Sequence, residues 1–216
     1  MNNLDTYLRR KGAYLVDLVT PDFVPGRLVK VHYFWKFGDF GPESVLQDDR
    51  GPASALPGIP MLGVTPKKPS SLYVENVTDQ WSISAGAGLP QYGITANADL
   101  QSGVTATVTI SNIETRTFDD NALSALYSTV IPRLRTLSRS DPNKWLQECF
   151  LVKEAFFVAS LSATVHTVGN ISAQAAFAEA GIKASGNFAM SWNNDHELTL
   201  VGSADVPFAV RGDGLG

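Results

Sequence analysis

Cysteine and histidine are scarce in this chain. Its 216 residues include one cysteine, Cys149, and three histidines, His32, His166 and His196. A single cysteine excludes an internal disulfide, and three scattered histidines lack the close spacing of a metal site. We therefore expect neither a metal nor another cofactor, and we interpret Cys149, within WLQECFLV, as a core thiol.

Long apolar runs are also missing. No stretch approaches the ~18 residues that a membrane helix needs, and the start, MNNLDTYLRRKG, lacks the apolar core of a secretory signal. With 44% hydrophobic residues, the chain still has enough apolar surface for one sizeable core. We therefore predict a single domain over residues 1–216 that is made in the cytosol and is soluble there at first.

Sequence motifs of catalysis are absent as well. There is no nucleophile elbow, no glycine-rich phosphate loop and no pair of carboxylates flanked by a histidine. The nearest candidate, Asp195, His196 and Glu197, lies in WNNDHEL between predicted strands, and we interpret it as a turn. These absences argue against an enzyme, and we expect no nucleic-acid partner.

The charge is small in total and uneven along the chain. The formal net charge is −4, yet positions 1 to 36 hold six basic and three acidic residues. A basic amino-terminal region on an acidic body indicates one face suited to anionic surfaces, such as acidic membrane lipids. The six basic residues are Arg9, Arg10, Lys11, Arg27, Lys30 and Lys36.

Alternation of apolar and polar residues is abundant. It extends over residues 92–110 and again over 157–177. Successive strand side chains point to opposite faces, so each stretch predicts a ribbon with one lipid-compatible face and one water-compatible face. As a single extended strand, the 19 residues of the first stretch would reach roughly 60 Å, about twice a hydrocarbon core of ~30 Å.

Two interpretations of this alternation remain open from the pattern alone. A transmembrane β-hairpin alternates in this way, and so do the half-buried strands of a soluble sheet. Gly103 or Gly169 would then mark turns between shorter strands.

The rest of the pattern predicts the order of the elements. We expect a helix over 3–11 closed by Gly12, strands over 13–18 and 28–37, a loop over 38–70, and a strand over 72–89 that turns near Pro90 and returns from Tyr92. We then expect a helix over 122–137, capped by Asp119 or Asp120 and interrupted by Pro132, and a second helix over 143–150. A second hairpin should follow over 151–176 and 181–192, and a final strand pair over 197–201 and 206–211.

These elements define the predicted fold class, α+β. It consists of a twisted, mostly antiparallel sheet with flanking helices and two long amphipathic regions able to convert to transmembrane β-hairpins. Aromatic and basic residues that precede Gly38 suit a bilayer interface, although an ordinary core strand has the same composition. They are Lys30, Phe34, Trp35, Lys36 and Phe37.

The order of these parts resembles the pore-forming domain of the gasdermin family over nearly all 216 residues. LVKEAFFVASLSATVH, residues 151–166, looks like the family's strand entering the second membrane hairpin, and ELTLVGSADVPFAVR, residues 197–211, resembles its final strand pair. The resemblance implies membrane hairpin 1 at about 77–118, a helical insert at about 120–150 and membrane hairpin 2 at about 151–192.

The resemblance also assigns residues to roles. The lipid contacts would be Arg9, Arg10 and Lys11 on the first helix, and Lys30, Phe34, Trp35, Lys36 and Phe37 in a hairpin that enters the headgroups. The membrane-spanning positions of hairpin 1 would be Ile83, Ala85, Tyr92, Ile94, Ala96, Ala98, Leu100, Val104, Ala106 and Val108. Those of hairpin 2 would be Ala159, Leu161, Ala163, Val165, Ile171, Ala173, Ala175, Phe177, Ile182, Ala184 and Phe188.

The function implied by the resemblance is membrane permeabilisation. Such a protein binds acidic lipids, assembles as a homo-oligomer or with a related activating protein, and inserts a β-barrel pore that kills the cell in immunity or self/non-self recognition. It would be cytoplasmic when soluble and at the cell membrane when activated. The alternative from another class is a non-lytic β-rich module that binds a lipid or a protein.

The chain departs from the family pattern at both ends. Only five residues follow Arg211, where family members typically carry a repressor, so we expect regulation like that of repressor-free fungal relatives triggered by a sister protein. Asn2 and Asn3 stand where bacterial members often have an acylated cysteine, which predicts no lipid anchor of that kind.

Overall fold

The structure is a computed structural model that describes residues 4–16, 23–35, 42–81, 94–95, 104–110, 112–158, 160–166, 183–184, 188–202 and 207–215. These residues form short helices and strands, and the strands pair in antiparallel fashion. The predicted α+β class with a mostly antiparallel sheet is therefore confirmed.

The helices are α1 (Leu4–Arg10), α2 (Asp120–Ala125) and α3 (Ile131–Ser140). A π-helical turn, Leu126–Val130, joins α2 to α3, and short 3-10 helices cover Ala53–Ala55 and Trp145–Glu148. The strands are β1 (Tyr14–Leu15), β2 (Arg27–Trp35), β3 (Pro42–Pro52), β4 (Lys68–Pro69), β5 (Val74–Trp81), β6 (Ile94–Thr95), β7 (Val104–Ile110), β8 (Glu114–Thr117), β9 (Cys149–Phe157), β10 (Ser160–His166), β11 (Lys183–Ala184), β12 (Phe188–Trp192), β13 (Glu197–Gly202) and β14 (Pro207–Gly214).

The strands form three sheets. A seven-stranded sheet has the order β1-β14-β9-β2-β3, with β8 also paired to β9 and β4 paired to β8. A five-stranded sheet has the order β12-β13-β10-β7-β5, and β6 pairs with β11 in a short third sheet. Because β9 ends at Phe157 and β10 begins at Ser160, one nearly continuous segment passes from the first sheet to the second.

The core lies on both faces of the seven-stranded sheet. Leu28 and Leu151 pack with the helical residues 120–140 in one buried cluster, while their neighbours Val29 and Phe150 belong to a second cluster. Successive side chains of a strand face opposite ways, so strands buried on both faces are apolar without alternation. This explains why CFLVKEAFF, the sequence of β9, is buried at seven of nine positions.

Helix α1 ends just before Gly12, the residue that was predicted to close it. The Ala13 amide donates to the Leu8 carbonyl and the Gly12 amide to the Arg9 carbonyl, each over 2.9 Å. Gly12 has φ of +70°, which completes the Schellman motif that a residue with a Cβ adopts only with strain. The prediction that Gly12 closes this helix is confirmed.

Asp119 is the N-cap of the helical segment that begins with α2. It is one of the two residues predicted for this role. Its carboxylate accepts a 2.7 Å hydrogen bond from the Ala122 amide. We expect Asp119→Ala to lower the free energy of unfolding in urea by about 1 kcal/mol, because that amide loses its partner. The matched variant Asp120→Ala removes only an exposed first-turn charge and should cost about 0.3 kcal/mol. Equal losses in the two variants would contradict the capping role.

The predicted loop over 38–70 is wrong for most of its first half, because β3 occupies Pro42–Pro52 and pairs with β2 at nine positions. The prolines suggested a loop, but they stand at the two ends of an edge strand, where a missing amide is tolerated. The pairing of β3 with β2 is irregular: it contains two register shifts, and Gly51 has φ of +94°.

The interruption predicted at Pro132 is present, because the π-helical turn Leu126–Val130 separates α2 from α3 and places Pro132 in the first turn of α3, where its missing amide costs little. The second helix prediction needs correction. The predicted helix over 143–150 is only a short 3-10 helix, Trp145–Glu148. It cannot extend further, because the backbone of Lys144 has a left-handed conformation before it and Cys149 already pairs with Lys30 of β2 after it. Tertiary pairing overrides the local helical preference there.

The predicted final strand pair is wrong. The strands themselves exist as β13 and β14, but they belong to different sheets. Strand β13 lies between β10 and β12, while β14 lies between β1 and β9. Both segments are therefore central rather than terminal strands.

Candidate functional site

The five-stranded sheet aligns the two alternating stretches with each other. Val108 of β7 lies opposite Ala163 of β10, and Ala106 lies opposite Val165. Residues directly opposite in an antiparallel pair occupy the same face of the sheet. The apolar parity of the first stretch and that of the second therefore share one face.

This apolar face continues across the neighbouring strands. The register adds Val77 and Trp81 from β5, Leu198 and Leu200 from β13, and Phe188, Met190 and Trp192 from β12. Asp79, opposite Ala106, is an acidic position within the face. The other face carries Thr78, Gln80, Thr105, Thr107, Thr109, Ser162, Thr164, His166, Ser191 and Thr199, of which Thr164 and Ser191 are exposed.

A short pair of strands provides a further contact between the two alternating regions. Ile94 of β6 lies opposite Ala184 of β11, and both are predicted membrane-spanning positions. The other predicted positions on described strands are Val104, Ala106, Val108, Leu161, Ala163, Val165 and Phe188. Outside the described residues lie Ile83, Ala85, Tyr92, Ala96, Ala98, Leu100, Ala159, Ile171, Ala173, Ala175, Phe177 and Ile182, together with both predicted hairpin turns.

The two predicted hairpins differ in how their arms are arranged. Strands β5 and β7, the arms of the first, are antiparallel neighbours. The prediction that the arms of the second pair directly is wrong for this structure, because β13 separates β10 from β12.

The position of β13 has a local cause. The Asn194 side-chain oxygen accepts hydrogen bonds from the amides of His196 (2.9 Å) and Glu197 (2.8 Å), which folds β13 back onto β12. Closing this short loop costs less entropy than closing the long connection between β10 and β12. The turn predicted at Asp195, His196 and Glu197 is thereby confirmed.

The basic end of α1 is the first predicted lipid contact. Arg10 and Lys11 are exposed, and Arg9 is half-buried with its guanidinium 5.8 Å from the centre of the Tyr14 ring. Lys11 Nζ lies 5.9 Å from the centre of the Tyr7 ring. Cations at a helix C-terminus are favourable for the helix dipole, so these residues are also compatible with a purely structural role.

The second predicted lipid contact is less accessible at its first residue. Lys30 Nζ forms a 2.7 Å ion pair with Glu148, and only 23% of its side chain is exposed. A lipid phosphate would have to replace Glu148 as the partner of this cation. The backbones of Phe34 and Trp35 lie at the end of β2, whereas residues 36 and 37 fall outside the described ranges.

Three polar contacts around α1 and β9 were not predicted. The Tyr7 hydroxyl donates to the Tyr73 carbonyl over 2.6 Å. Arg211 binds Glu154 at 2.7 Å, and Lys153 binds Asp213 at 2.9 Å. The opposite charges of Glu154 and Arg211, in two predicted strands, were a signal for one ion pair, but only with the pairing of β9 and β14, which the sequence pattern does not supply. Asp213 lies beyond the predicted strand over 206–211.

Cys149 is a buried thiol, as predicted. It is 2% exposed and lies 3.2 Å from the Trp145 carbonyl, to which it donates. Burial raises the pKa of Cys149 to about 11, so the thiol stays protonated at neutral pH and is not a reactive nucleophile. In the described part of the chain, no group of three or more His, Cys, Asp or Glu residues is placed to hold a metal.

The helices that the structure describes are short. None of their helices has the length and apolar character needed to cross a membrane.

Comparison with known proteins identifies the fold. No family model and no curated protein matches the chain. Among solved structures, a bacterial gasdermin from Bradyrhizobium tropiciagri is similar with a TM-score of 0.50 and 11% identity, covering 94% of this chain and 82% of that chain. The gasdermin A3 membrane pore aligns over 97% of this chain and 86% of that chain, with 14% identity and a TM-score of 0.40.

Of these two structures, the bacterial gasdermin carries the structural conclusion. Its alignment covers most of both chains, and at this identity it shows the fold rather than an activity. The chain has a gasdermin-like fold, and the resemblance stated from the sequence is confirmed at that level.

Proposed function

We propose that this chain is a gasdermin-like pore-forming protein and not an enzyme. In this proposal it binds acidic lipids, oligomerises and inserts its two amphipathic regions as transmembrane β-hairpins. The observation that carries the proposal is the apolar face that continues in register from β7, in the first region, to β10, in the second. A membrane-spanning sheet needs one continuous lipid-facing surface, and this register supplies one across the two regions.

Oligomerisation follows from the cost of unpaired backbone in lipid. In hydrocarbon each unpaired amide or carbonyl costs several kcal/mol, so a four-stranded insert with two open edges is unstable. A closed ring of protomers pairs every edge and removes this penalty. The proposed partners are other copies of the chain and, as a second kind of subunit, a related activating protein.

The proposed division of the chain follows the same logic. Hairpin 1 comprises about 77–118, the helical insert about 120–150 and hairpin 2 about 151–192, with the lipid contacts on α1 and at the end of β2. Direct pairing of the arms of hairpin 2 requires β13 to leave its place between β10 and β12. We therefore propose that activation includes the departure of β13.

The proposed biological setting is a cytoplasmic protein that moves to the cell membrane on activation. Permeabilisation there would cause cell death in immunity or in self/non-self recognition.

The test is leakage of an entrapped dye from liposomes. We expect leakage from liposomes with acidic lipid and little from neutral ones, because the amino-terminal region carries an excess of cations. The related activating protein is added in a parallel set, and negative-stain images should show rings or arcs on leaking liposomes. No leakage with any lipid composition, with or without that protein, would overturn the proposal.

The rival function, a non-lytic ligand-binding module, is favoured by one feature. A largely apolar pocket of about 250 Å³ is lined mainly by the segments 24–27 and 52–64, which include Gly26, Ile59 and Met61, together with Phe118 and Leu151. Ligand pockets usually measure about 300–1,000 Å³, so this one accommodates only a small apolar molecule. Membrane binding without leakage or rings would favour the rival.

A further inference from the structure

Helix α1 is joined to the segment that leads into the first amphipathic region. The Tyr7 hydroxyl donates its 2.6 Å hydrogen bond to the main-chain carbonyl of Tyr73, the residue immediately before β5. Leu8, next to Tyr7, is fully buried, so packing holds the helix in the same place. We call this hydrogen bond the Tyr7 tether. Displacement of α1 must break it at the start of β5.

A second contact joins Lys11, the residue directly after α1, to the beginning of the second region. The Arg211 guanidinium, in β14, donates to the Lys11 carbonyl over 2.9 Å and binds the Glu154 carboxylate of β9 at 2.7 Å. A planar guanidinium is suited to holding two acceptors at once in fixed directions. We call this pair of contacts the Arg211 tether. Because hairpin 2 is proposed to begin at about residue 151 and β9 continues almost directly into β10, the tether holds the beginning of the second region.

The cations of α1 sit on aromatic rings that belong to the same connections. Lys11 lies over the ring of Tyr7, which makes the first tether. Arg9 lies over Tyr14, whose ring packs edge-on against Phe150 of β9 with centroids 5.2 Å apart. A cation that moves to a lipid phosphate loses its contact with the ring. Lipid binding by Arg9 and Lys11 therefore competes with the contacts that hold α1 in its resting position.

We propose that the two tethers hold both amphipathic regions in their resting sheets, and that an anionic lipid surface releases both by drawing α1 away. The inference rests on the proposed function and gives the lipid-binding helix its regulatory role. Each tether contact is individually weak, and so is the attraction of one cation to an anionic surface, so the surface must engage several cations to offset the tethers together with the packing of Leu8. The surface acts because it binds the cations of the released helix better than those of the tethered one.

The experiment begins with Tyr7→Phe, which removes the tether hydroxyl and keeps the ring beneath Lys11. Without lipid, we expect amide hydrogen exchange across β5 to become about two- to tenfold faster, the range that corresponds to losing one net hydrogen bond. With liposomes, half-maximal leakage should require a smaller fraction of acidic lipid. Tyr14→Phe is the matched control, since its hydroxyl makes no hydrogen bond within the described residues and its ring contacts are retained. Neither measurement should change in the control.

Arg211→Lys tests the second tether, because lysine keeps a positive charge beside Glu154 but not the two-acceptor geometry. Faster exchange in β9 and β10, with leakage at a lower acidic fraction, is expected. Wild-type exchange and wild-type lipid requirement in both Tyr7→Phe and Arg211→Lys would overturn the inference. If the wild type never leaks while both variants exchange faster in solution, the tethers are supported and the pore function fails.

Discussion

Cysteines introduced at positions 163 and 198 are expected to abolish dye leakage when oxidised and to restore it when reduced. Ala163 of β10 lies opposite Leu198 of β13 in the antiparallel register. A disulfide between them keeps β13 beside β10, where it blocks the direct pairing of β10 with β12 that the proposed hairpin 2 needs. The measurement is leakage from acidic liposomes before and after addition of a reductant.

The geometry of the sheet permits this cross-link. Opposite residues of antiparallel strands have Cα atoms about 4.5–5.5 Å apart, within the range of about 4.4–6.8 Å that disulfides span. Because hydrogen-bonded and non-hydrogen-bonded pairs alternate, the adjacent pair Ser162 and Thr199 offers the other geometry and is tested in parallel. The native Cys149 is buried and has its pKa raised to about 11, so it does not compete in thiol exchange.

A matched disulfide separates the effect of strand locking from that of oxidation. Val31→Cys with Leu46→Cys joins β2 to β3, opposite residues outside both amphipathic regions, and should leak normally in either redox state. Full leakage by the oxidised 163–198 variant, with the disulfide verified by thiol counting, would show that β13 stays with β10. The second arm of the inserted hairpin would then be β13 rather than β12.

The face of each amphipathic strand was predictable from the sequence. Alternation fixes which positions share a face, and a one-residue slip would move all of them to the opposite one. This is why the parity containing Val104, Ala106 and Val108 meets the parity containing Ala163 and Val165 in the structure. The cap at Asp119 and the end of α1 at Gly12 were equally readable, because each depends on a few neighbouring residues.

The neighbour of each strand was not predictable in the same way. Alternation is compatible with any partner of matching parity, so it did not show that β13 takes the place of β12 beside β10. The edge strand β3 was hidden by its two prolines. The contacts of Tyr7 and Arg211 join residues far apart in sequence, and one acceptor in each case is a main-chain carbonyl, which no side-chain pattern reveals.

Replacement of Val104 or Leu161 by aspartate is expected to abolish leakage while leaving the monomer folded. Both positions lie on the apolar face, opposite Trp81 and Leu200 respectively. A charge on the lipid face of a β-barrel costs about 2–4 kcal/mol for arginine or lysine at the bilayer centre and less for aspartate, and the cost recurs in every protomer of a ring. Thermal unfolding of each variant in solution is measured first, and leakage from acidic liposomes second.

The adjacent residues provide controls at almost the same depth. Thr105→Asp and Ser162→Asp place the same charge on the other face, opposite His166 and Thr109, where the proposed pore has water. They should leak nearly as the wild type does, so the parity of the position, and not the added charge, decides the result. Normal leakage by both Val104→Asp and Leu161→Asp would mean that neither segment spans the bilayer. If all four variants bind liposomes but only the two apolar-face variants fail to leak, the charge acts at insertion, because binding to the surface does not require that face to enter hydrocarbon.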